Sequence, residues 1–194
     1  MTEHEINKLD NMIMGWYLDP KFCDKIIEYH KQMDSWGEVV DGAMRFGVDK
    51  KVKNSRDCYL RGDIREEYCQ YIQPCADAYA EKYPYSNFYD PWDIFEDINV
   101  QKYDPNGGFY GWHTERSSTA EPSGDRHLVF MTYLNDVNDA GETEFAMQNI
   151  KVKPEKGLTL IWGAEWMFTH RGIPSPTETK YIATGWYSYV PVSK

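Results

Sequence analysis

Residues 108–118 read GFYGWHTERSS, and this stretch decides how the rest of the chain is interpreted. It places His113 and Glu115 one residue apart from each other, beside three aromatic side chains. In an extended strand, side chains alternate between the two faces, so these two side chains point in the same direction. Two alternatives follow: both side chains converge on a metal ion, or an ordinary half-buried strand carries two polar residues on its wet face.

His170 is the natural third member of a metal site. It ends the strand-like run EWMFTH (165–170), just before a glycine and a proline-rich turn, so we expect it at a rim where a strand meets a loop. Two histidines and a carboxylate, two close in sequence and one distant, are the ligands of mononuclear iron(II) oxygenases, which leave three neighbouring metal positions open. Zinc would accept the same ligands in tetrahedral geometry with a bound water, so the ligand set leaves both metals open.

The other histidines are not assigned to the site. His4, near the start of the chain, and His30, on a predicted helix, are expected to face solvent. His127 begins a strand and is expected to be structural, since most histidines bind no ligand.

Lys180, ten residues after His170, favours iron. The turn IPSPTET (173–179) predicts that Lys180 begins a strand antiparallel to the one ending at His170, with Lys180, Ile182, Thr184 and Trp186 on one face. A lysine on an inward face is costly unless it meets an anion, and the free carboxylate of a chelating dicarboxylate would supply one. The alternative is that Lys180 points outward into solvent.

The pattern along the chain predicts a mainly β fold. Asp19 and Pro20 begin a helix that runs to about Met33, and a second helix covers about Asp63 to Lys82, with Pro74 expected to kink or split it. From about Trp92 onward, short strands alternate with turns rich in glycine, proline and asparagine, which predicts an antiparallel sandwich or jelly roll with the helices on one sheet. The predicted strands are DIFEDINVQKY, HLVFMTYLN, ETEFAM, GLTLIW, EWMFTH and KYIATGWYSYV.

Length and charge limit the classes of function. At 194 residues we expect one domain, with residues 1–90 as helical support and substrate loop and residues 91–194 as the jelly-roll core. The net charge of -10 disfavours nucleic acid as a partner.

No apolar run is long enough for a membrane span, and the first residues lack a secretory pattern. The four cysteines have no C-x-x-C spacing, so a cytoplasmic protein with reduced thiols is expected. The lysines and arginines at 50–56 are expected to form a solvated basic loop.

Taken together, these residues resemble the 2-oxoglutarate- and Fe(II)-dependent oxygenases, in particular the prolyl 4-hydroxylase-like branch. The resemblance covers roughly residues 97–187. Its motifs are, in chain order, YDPNGGFYGWHTE (103–115), RHLVFMTYLND (126–136), AGETEF (140–145) and HRGIPSPTETKYIATGW (170–186).

The resemblance implies a double-stranded β-helix whose Fe(II) is held by His113, Glu115 and His170. It further implies that Lys180 and Tyr133 bind the distal carboxylate of 2-oxoglutarate, and that Tyr103 lies near the chelating end. Thr184 and Trp186 would line the region of cosubstrate and product. The loop around residues 53–56 would cover the substrate.

The implied activity is a dioxygenase reaction that uses O2, with ascorbate as a candidate reductant. It hydroxylates an unactivated C–H bond, in the first instance of a prolyl residue in a peptide or protein, and releases succinate and CO2. Free proline or another small molecule, a non-catalytic jelly-roll binding module and a zinc hydrolase are the alternatives. The family mostly uses H-x-D, whereas this chain has H-x-E, and a metal site can accommodate the longer side chain by a shift of the backbone or by another mode of ligation.

Overall fold

A computed structural model of the chain describes residues 10–44 and 47–190. Its strands form two antiparallel sheets that face each other, and its two helices lie on the outer face of the larger sheet, as expected for a jelly roll. No helix among these residues is long and apolar enough to span a membrane.

The helices are α1 (Pro20–Ser35) and α2 (Asp63–Lys82), and the strands are β1 (Met14–Tyr17), β2 (Val40–Asp41), β3 (Arg56–Tyr59), β4 (Trp92–Asp93), β5 (Asn99–Tyr103), β6 (Arg126–Tyr133), β7 (Thr143–Phe145), β8 (Ile150–Val152), β9 (Leu158–Gly163), β10 (His170–Gly172) and β11 (Lys180–Tyr189).

The helices begin and end where the sequence predicts. Asp19 caps α1 by accepting a hydrogen bond of 2.9 Å from the backbone N–H of Lys21, and Pro20 occupies the first turn. The second helix is continuous and is not split at Pro74. Buried residues on both sides of that proline, Tyr68 and Tyr79 among them, pack in the core beneath the helix, and this packing outweighs the lost hydrogen bond.

The larger sheet has the order β1-β9-β6-β11-β5-β3-β2, with β4 paired to β11, and the smaller sheet has the order β10-β7-β8. Alternation along β6 divides the core into two layers. Leu128 and Phe130 pack with the helices, whereas Val129, Met131 and Tyr133 face the space between the sheets. The candidate site lies in that second layer.

Two predictions about the segment before Lys180 are wrong. Residues 165–170 do not form a strand: Trp166–Phe168 is a short 3-10 helix, closed by hydrogen bonds from the N–H groups of Phe168 and Thr169, and His170 begins β10 instead of ending a strand. The strand β10 pairs with β7, not with β11. The Phe168 ring packs directly on Gly163, which holds the segment in a turn that local strand propensity does not reveal.

Two predictions about exposure are also wrong. His30 is 1% exposed, because its Nε2 lies 3.0 Å from the Arg56 carbonyl oxygen and its ring packs edge-on against Tyr181. The basic loop is not wholly solvated either: Lys53 is 4% exposed and forms an ion pair of 2.6 Å with Asp57. His4 lies outside the described residues.

Replacing Gly185 by alanine should lower the free energy of unfolding by about 1–3 kcal/mol. Gly185 lies in the middle of β11, and a Cβ there would overlap the Phe130 ring. That ring is fully buried and contacts the rings of Tyr68 and Tyr187, so it has little room to move. Urea denaturation of the two proteins measures the difference.

Gly15→Ala is the matched control. Gly15 lies in β1 of the same sheet, but its Cβ would meet mainly the movable ends of Leu158 and Leu160. Its free energy of unfolding should change by less than about 0.5 kcal/mol. An equal loss in both variants would contradict the packing argument.

Candidate active site

His113, Glu115 and His170 meet at the inner end of the space between the sheets. A pair of backbone hydrogen bonds joins the two histidines: the N–H of His113 donates to the His170 carbonyl at 3.0 Å, and the reverse bond is 2.9 Å. The Nε2 atoms lie 3.7 Å and 3.5 Å from Oε1 of Glu115, for His113 and His170 respectively. One ligand atom from each residue lies within 4.8 Å of the other two, so a single ion can reach all three.

Both imidazoles are oriented for metal binding. Nδ1 of His113 lies 2.9 Å from the Gly111 carbonyl oxygen, and Nδ1 of His170 lies 2.8 Å from that of Phe168. A carbonyl oxygen only accepts, so each Nδ1 carries a proton, and each Nε2 is the nitrogen available to a metal. The Phe109 ring stacks on His113 at 3.7 Å and fixes the plane of that imidazole.

The Glu115 carboxylate has one occupied and one available oxygen. Oε2 accepts a hydrogen bond of 3.0 Å from the indole N–H of Trp186 and one of 3.3 Å from Arg126. Oε1 faces the two histidines. Glutamate is longer than the aspartate that the family mostly uses. Here its Oε2 is anchored by Trp186 and Arg126, and Oε1 is left available to bind a metal.

The protonation states also suit a cation. Burial acts to raise the pKa of Glu115, but hydrogen bonds and charge from His113 and His170 hold that pKa well below its usual value, so the carboxylate is ionised. Burial, and then the charge of His170, lower the pKa of His113 and favour its neutral form. Ionised carboxylate and neutral imidazole are the forms that bind divalent metals.

A cavity of about 990 Å³ opens from these three residues. Four alternate residues of β11, Lys180, Ile182, Thr184 and Trp186, line it, so the period-two prediction for that strand is confirmed. Tyr59, Phe95 and Trp112 also line it, and each is about half exposed. The cavity is thus a cleft with an aromatic rim, and its floor carries the candidate metal ligands.

Lys180 points into the cavity, not into solvent. Only 4% of it is exposed, its ammonium donates to the Gly141 carbonyl at 2.8 Å, and Nζ lies 5.2 Å from the centre of the Tyr103 ring. Burial lowers its pKa to about 8, against an opposing effect of the Glu142 charge. Within the described residues, no carboxylate lies at ion-pair distance from it, so this buried cation lacks an anionic partner.

The remaining predicted site residues are distributed around this lysine. Tyr103 lines the cavity and donates its hydroxyl to Gln101. Tyr133 lies behind the wall: its hydroxyl donates to Thr143 at 2.6 Å, and Thr143 is the residue that faces the cavity. Thr184 donates to the Phe130 carbonyl at 3.1 Å, while Trp186 contacts the Glu115 carboxylate instead of lining only the cosubstrate region.

Arg126 is the site residue that the sequence pattern does not reveal. It lies two positions before Leu128, whose side chain packs under the helices, so simple alternation would turn Arg126 away from the cavity. A β-bulge changes this: Tyr187 pairs with Leu128, but the next residue, Ser188, pairs with Arg126. The guanidinium therefore reaches the cavity wall beside Glu115.

Comparisons with known proteins agree with this geometry. Residues 98–188 match the model of the 2OG-Fe(II) oxygenase superfamily. A protein of Acanthamoeba polyphaga mimivirus, named as a presumed prolyl 4-hydroxylase, is 25% identical over 191 residues, covering 90% of this chain and 72% of the viral protein.

Solved structures with the same fold include several prolyl hydroxylases. The viral collagen prolyl hydroxylase of Paramecium Bursaria Chlorella virus-1, solved with 2OG, has a TM-score of 0.68 at 22% identity over 92% of this chain and 97% of that one. A Pseudomonas putida prolyl-4-hydroxylase has a TM-score of 0.71 at 14% identity, over 91% and 92% of the two chains. A Trichoplax adhaerens prolyl hydroxylase, solved with a peptide of hypoxia inducible factor, has a TM-score of 0.72 at 18% identity, over 92% and 84%.

Adding Mn(II), or Fe(II) without oxygen, should raise the melting temperature of the chain, because the ion binds only the folded state. At a free metal concentration of about 100 times Kd the shift should be about 5–10 °C. His113→Ala and His170→Ala should each remove the shift. Calorimetry across a metal titration measures it.

His127→Gln is the control, because His127 contacts the Ser86 carbonyl oxygen at 2.7 Å and does not line the cavity. Its metal-dependent shift should match that of the unmodified chain. A shift retained in both alanine variants would place the ion elsewhere.

Proposed function

Because the chain is a 2-oxoglutarate-dependent dioxygenase of the prolyl 4-hydroxylase-like kind, and matches that oxygenase superfamily over residues 98–188, we propose that it hydroxylates a prolyl residue in a peptide or protein. Fe(II), 2-oxoglutarate and O2 are its cofactor and cosubstrates. Succinate and CO2 would be the coproducts. The observation that carries the proposal is the cluster of His113, Glu115 and His170 at the floor of an open cleft.

We propose that His113, Glu115 and His170 hold the iron, and the donor set fits that ion. Two imidazoles and one carboxylate oxygen on one side of the site leave the cavity side free for a chelating cosubstrate. With 2-oxoglutarate and O2, bound iron supplies the oxidising chemistry that hydroxylates an unactivated C–H bond.

The chain contributes position and charge. Lys180 would hold the distal carboxylate of 2-oxoglutarate, with Tyr103 beside it and Thr143 as a neighbouring hydroxyl on the wall. Tyr133 would act through Thr143, to which it donates its hydrogen bond. Phe109 and Trp162, on either side of the two histidines, exclude water from that end of the cavity.

Charge pairing favours a peptide over a free amino acid as substrate. Among the described residues that line the cavity, Lys53 is paired with Asp57, and Arg126 is paired with two carboxylates. Lys180 is the cation in this group without a carboxylate partner, and the distal carboxylate of 2-oxoglutarate would pair with it. A free amino acid would bring a second carboxylate that lacks a cationic partner, whereas a prolyl residue within a peptide carries none.

The size and rim of the cleft favour the same class of substrate. Its volume of about 990 Å³ lies at the upper end of the range of about 300–1,000 Å³ for small-molecule sites. Half-exposed Tyr59, Phe95 and Trp112 offer aromatic surface on which an extended peptide can pack. The cytosolic location, ascorbate as a reductant and the division of the chain at residue 90 stay predictions.

A substrate assay tests the proposal. The chain is reconstituted with Fe(II) and 2-oxoglutarate without oxygen, which should give a weak visible metal-to-ligand absorption band. After air is admitted, succinate should form, and a pooled library of capped peptides with random residues around one proline should gain an oxygen atom by mass spectrometry.

Free L-proline is the comparison substrate, and His170→Ala is the inactive control. Oxygen insertion into free proline but not into the peptide pool would refute the peptide class. Full turnover by His170→Ala would refute the ligand assignment.

The affinity for 2-oxoglutarate should fall by up to about tenfold per pH unit above pH 8. The pKa of Lys180 is about 8 in the free chain, and only its protonated form pairs with a carboxylate. Above that pH, binding of 2-oxoglutarate requires Lys180 to take up a proton, so the affinity falls as the pH rises. Below it, Lys180 is already protonated, and the affinity for 2-oxoglutarate should not depend on pH. Calorimetric titration with Mn(II) in place of Fe(II), between pH 6.5 and 9.5, measures the slope.

Two variants separate this effect from other titrations. Lys180→Arg keeps its charge throughout the range and should lose the slope. Lys180→Met should bind weakly, by more than about tenfold at pH 7, and without dependence on pH. The same slope in Lys180→Met would show that another group titrates.

A further inference from the structure

Glu96 precedes β5 and lines the cavity, with 11% of its side chain exposed. Both of its carboxylate oxygens accept hydrogen bonds from Arg126, at 2.7 Å from Nε and 2.6 Å from Nη2. This is a bidentate pair, which fixes the plane of the guanidinium as well as its position. Neither the fold nor the metal ligands by themselves require it.

The fixed guanidinium directs its third nitrogen at Glu115. Nη1 of Arg126 lies 3.1 Å from the backbone oxygen of Glu115 and 3.3 Å from its Oε2. The same guanidinium lies 3.5 Å from the centre of the Trp186 ring, and the indole N–H of Trp186 donates to that same Oε2. Two side chains, Arg126 and Trp186, thus hold Oε2 of Glu115, and Glu96 fixes where Arg126 points.

Glu96 competes with Glu115 for the charge and the nitrogens of Arg126. Arg126 is shared between two carboxylates, and it offers Glu96 two nitrogens but Glu115 one. Without the charge of Glu96, the guanidinium fork is free to turn and take both oxygens of Glu115. Oε1, which now faces the histidines, would then be drawn away from them.

We propose that Glu96 is a positioning residue for Glu115: through Arg126 it keeps one carboxylate oxygen occupied and the other turned to the metal. The inference rests on Glu115 being a metal ligand, as proposed above. A glutamate ligand has one more rotatable bond than an aspartate, so an external anchor for its far oxygen reduces the entropy lost on metal binding. The anchor is therefore a counterpart of the H-x-E sequence.

Glu96→Gln tests the inference, because it keeps the size of the side chain and removes its charge. Mn(II) affinity, measured by calorimetry without cosubstrate, should fall by about tenfold to a hundredfold, as for other groups that orient metal ligands. Asp97→Asn is the matched control: the adjacent Asp97 pairs with Arg61, away from Glu115, and its loss should leave Mn(II) affinity unchanged.

A second variant shows whether Glu96 acts through Arg126. In the Arg126→Met background, Glu96→Gln should cause no further loss of Mn(II) affinity, since the residue that transmits its effect is gone. Metal-free melting temperatures identify any variant that is simply less folded. Unchanged affinity in Glu96→Gln, an equal loss in Asp97→Asn, or additive losses in the double variant would overturn the inference. Absence of metal binding by the unmodified chain would instead refute the proposed ligand set.

Discussion

The two backbone hydrogen bonds between His113 and His170 are the constraint on which the site depends. They join the segment between β5 and β6 of the larger sheet to the first residue of β10 in the smaller sheet. Because the bonds are between main-chain atoms, the separation of the two backbones at His113 and His170 does not depend on side-chain rotamers. The side chains add only direction, through the Nδ1 contacts to the Gly111 and Phe168 carbonyls. A metal site built in this way is preorganised before any ion arrives.

The cationic side chains around these two histidines differ in whether they already pair with a carboxylate. Arg126 lies between Glu96 and Glu115, and Lys53 is paired with Asp57, so neither is available to an incoming anion without breaking an ion pair. Lys180 donates to the Gly141 carbonyl oxygen and, within the part of the chain that the structure describes, has no carboxylate partner. The arrangement supports the proposal that one anion binds beside Lys180 and that a neutral chain binds in the remainder of the cleft.

Local patterns in the sequence predict the elements whose cause is local. Asp19 and Pro20 mark the start of α1, the His113 and Glu115 pair marks the site, and alternation along β11 puts Lys180 and Trp186 on the cavity wall. Features that depend on distant partners escape such patterns. The bulge opposite Arg126 is set by pairing with β11.

Local sequence patterns also fail to predict which of these side chains are buried, for the same reason. His30 is buried by packing on Tyr181, and the turn at 166–168 is set by packing of Phe168 on Gly163. Lys53 is covered because the chain places Asp57 and the Phe109 ring beside it. Tyr181 and Phe109 are remote in sequence from the residues they cover; Asp57 and Gly163 are nearer, but no periodicity predicts their contacts.

The isolation of Lys180 has a consequence for the folding equilibrium of the chain. Its pKa of about 8 lies below the ordinary lysine value of 10.5, so the charged form is disfavoured in the folded state. A difference of this size corresponds to roughly 3 kcal/mol that the native state forgoes at neutral pH. Under the proposed role of Lys180, this cost of burial keeps a cation available to an incoming anion, and a neutral side chain of similar shape at this position should raise the free energy of unfolding.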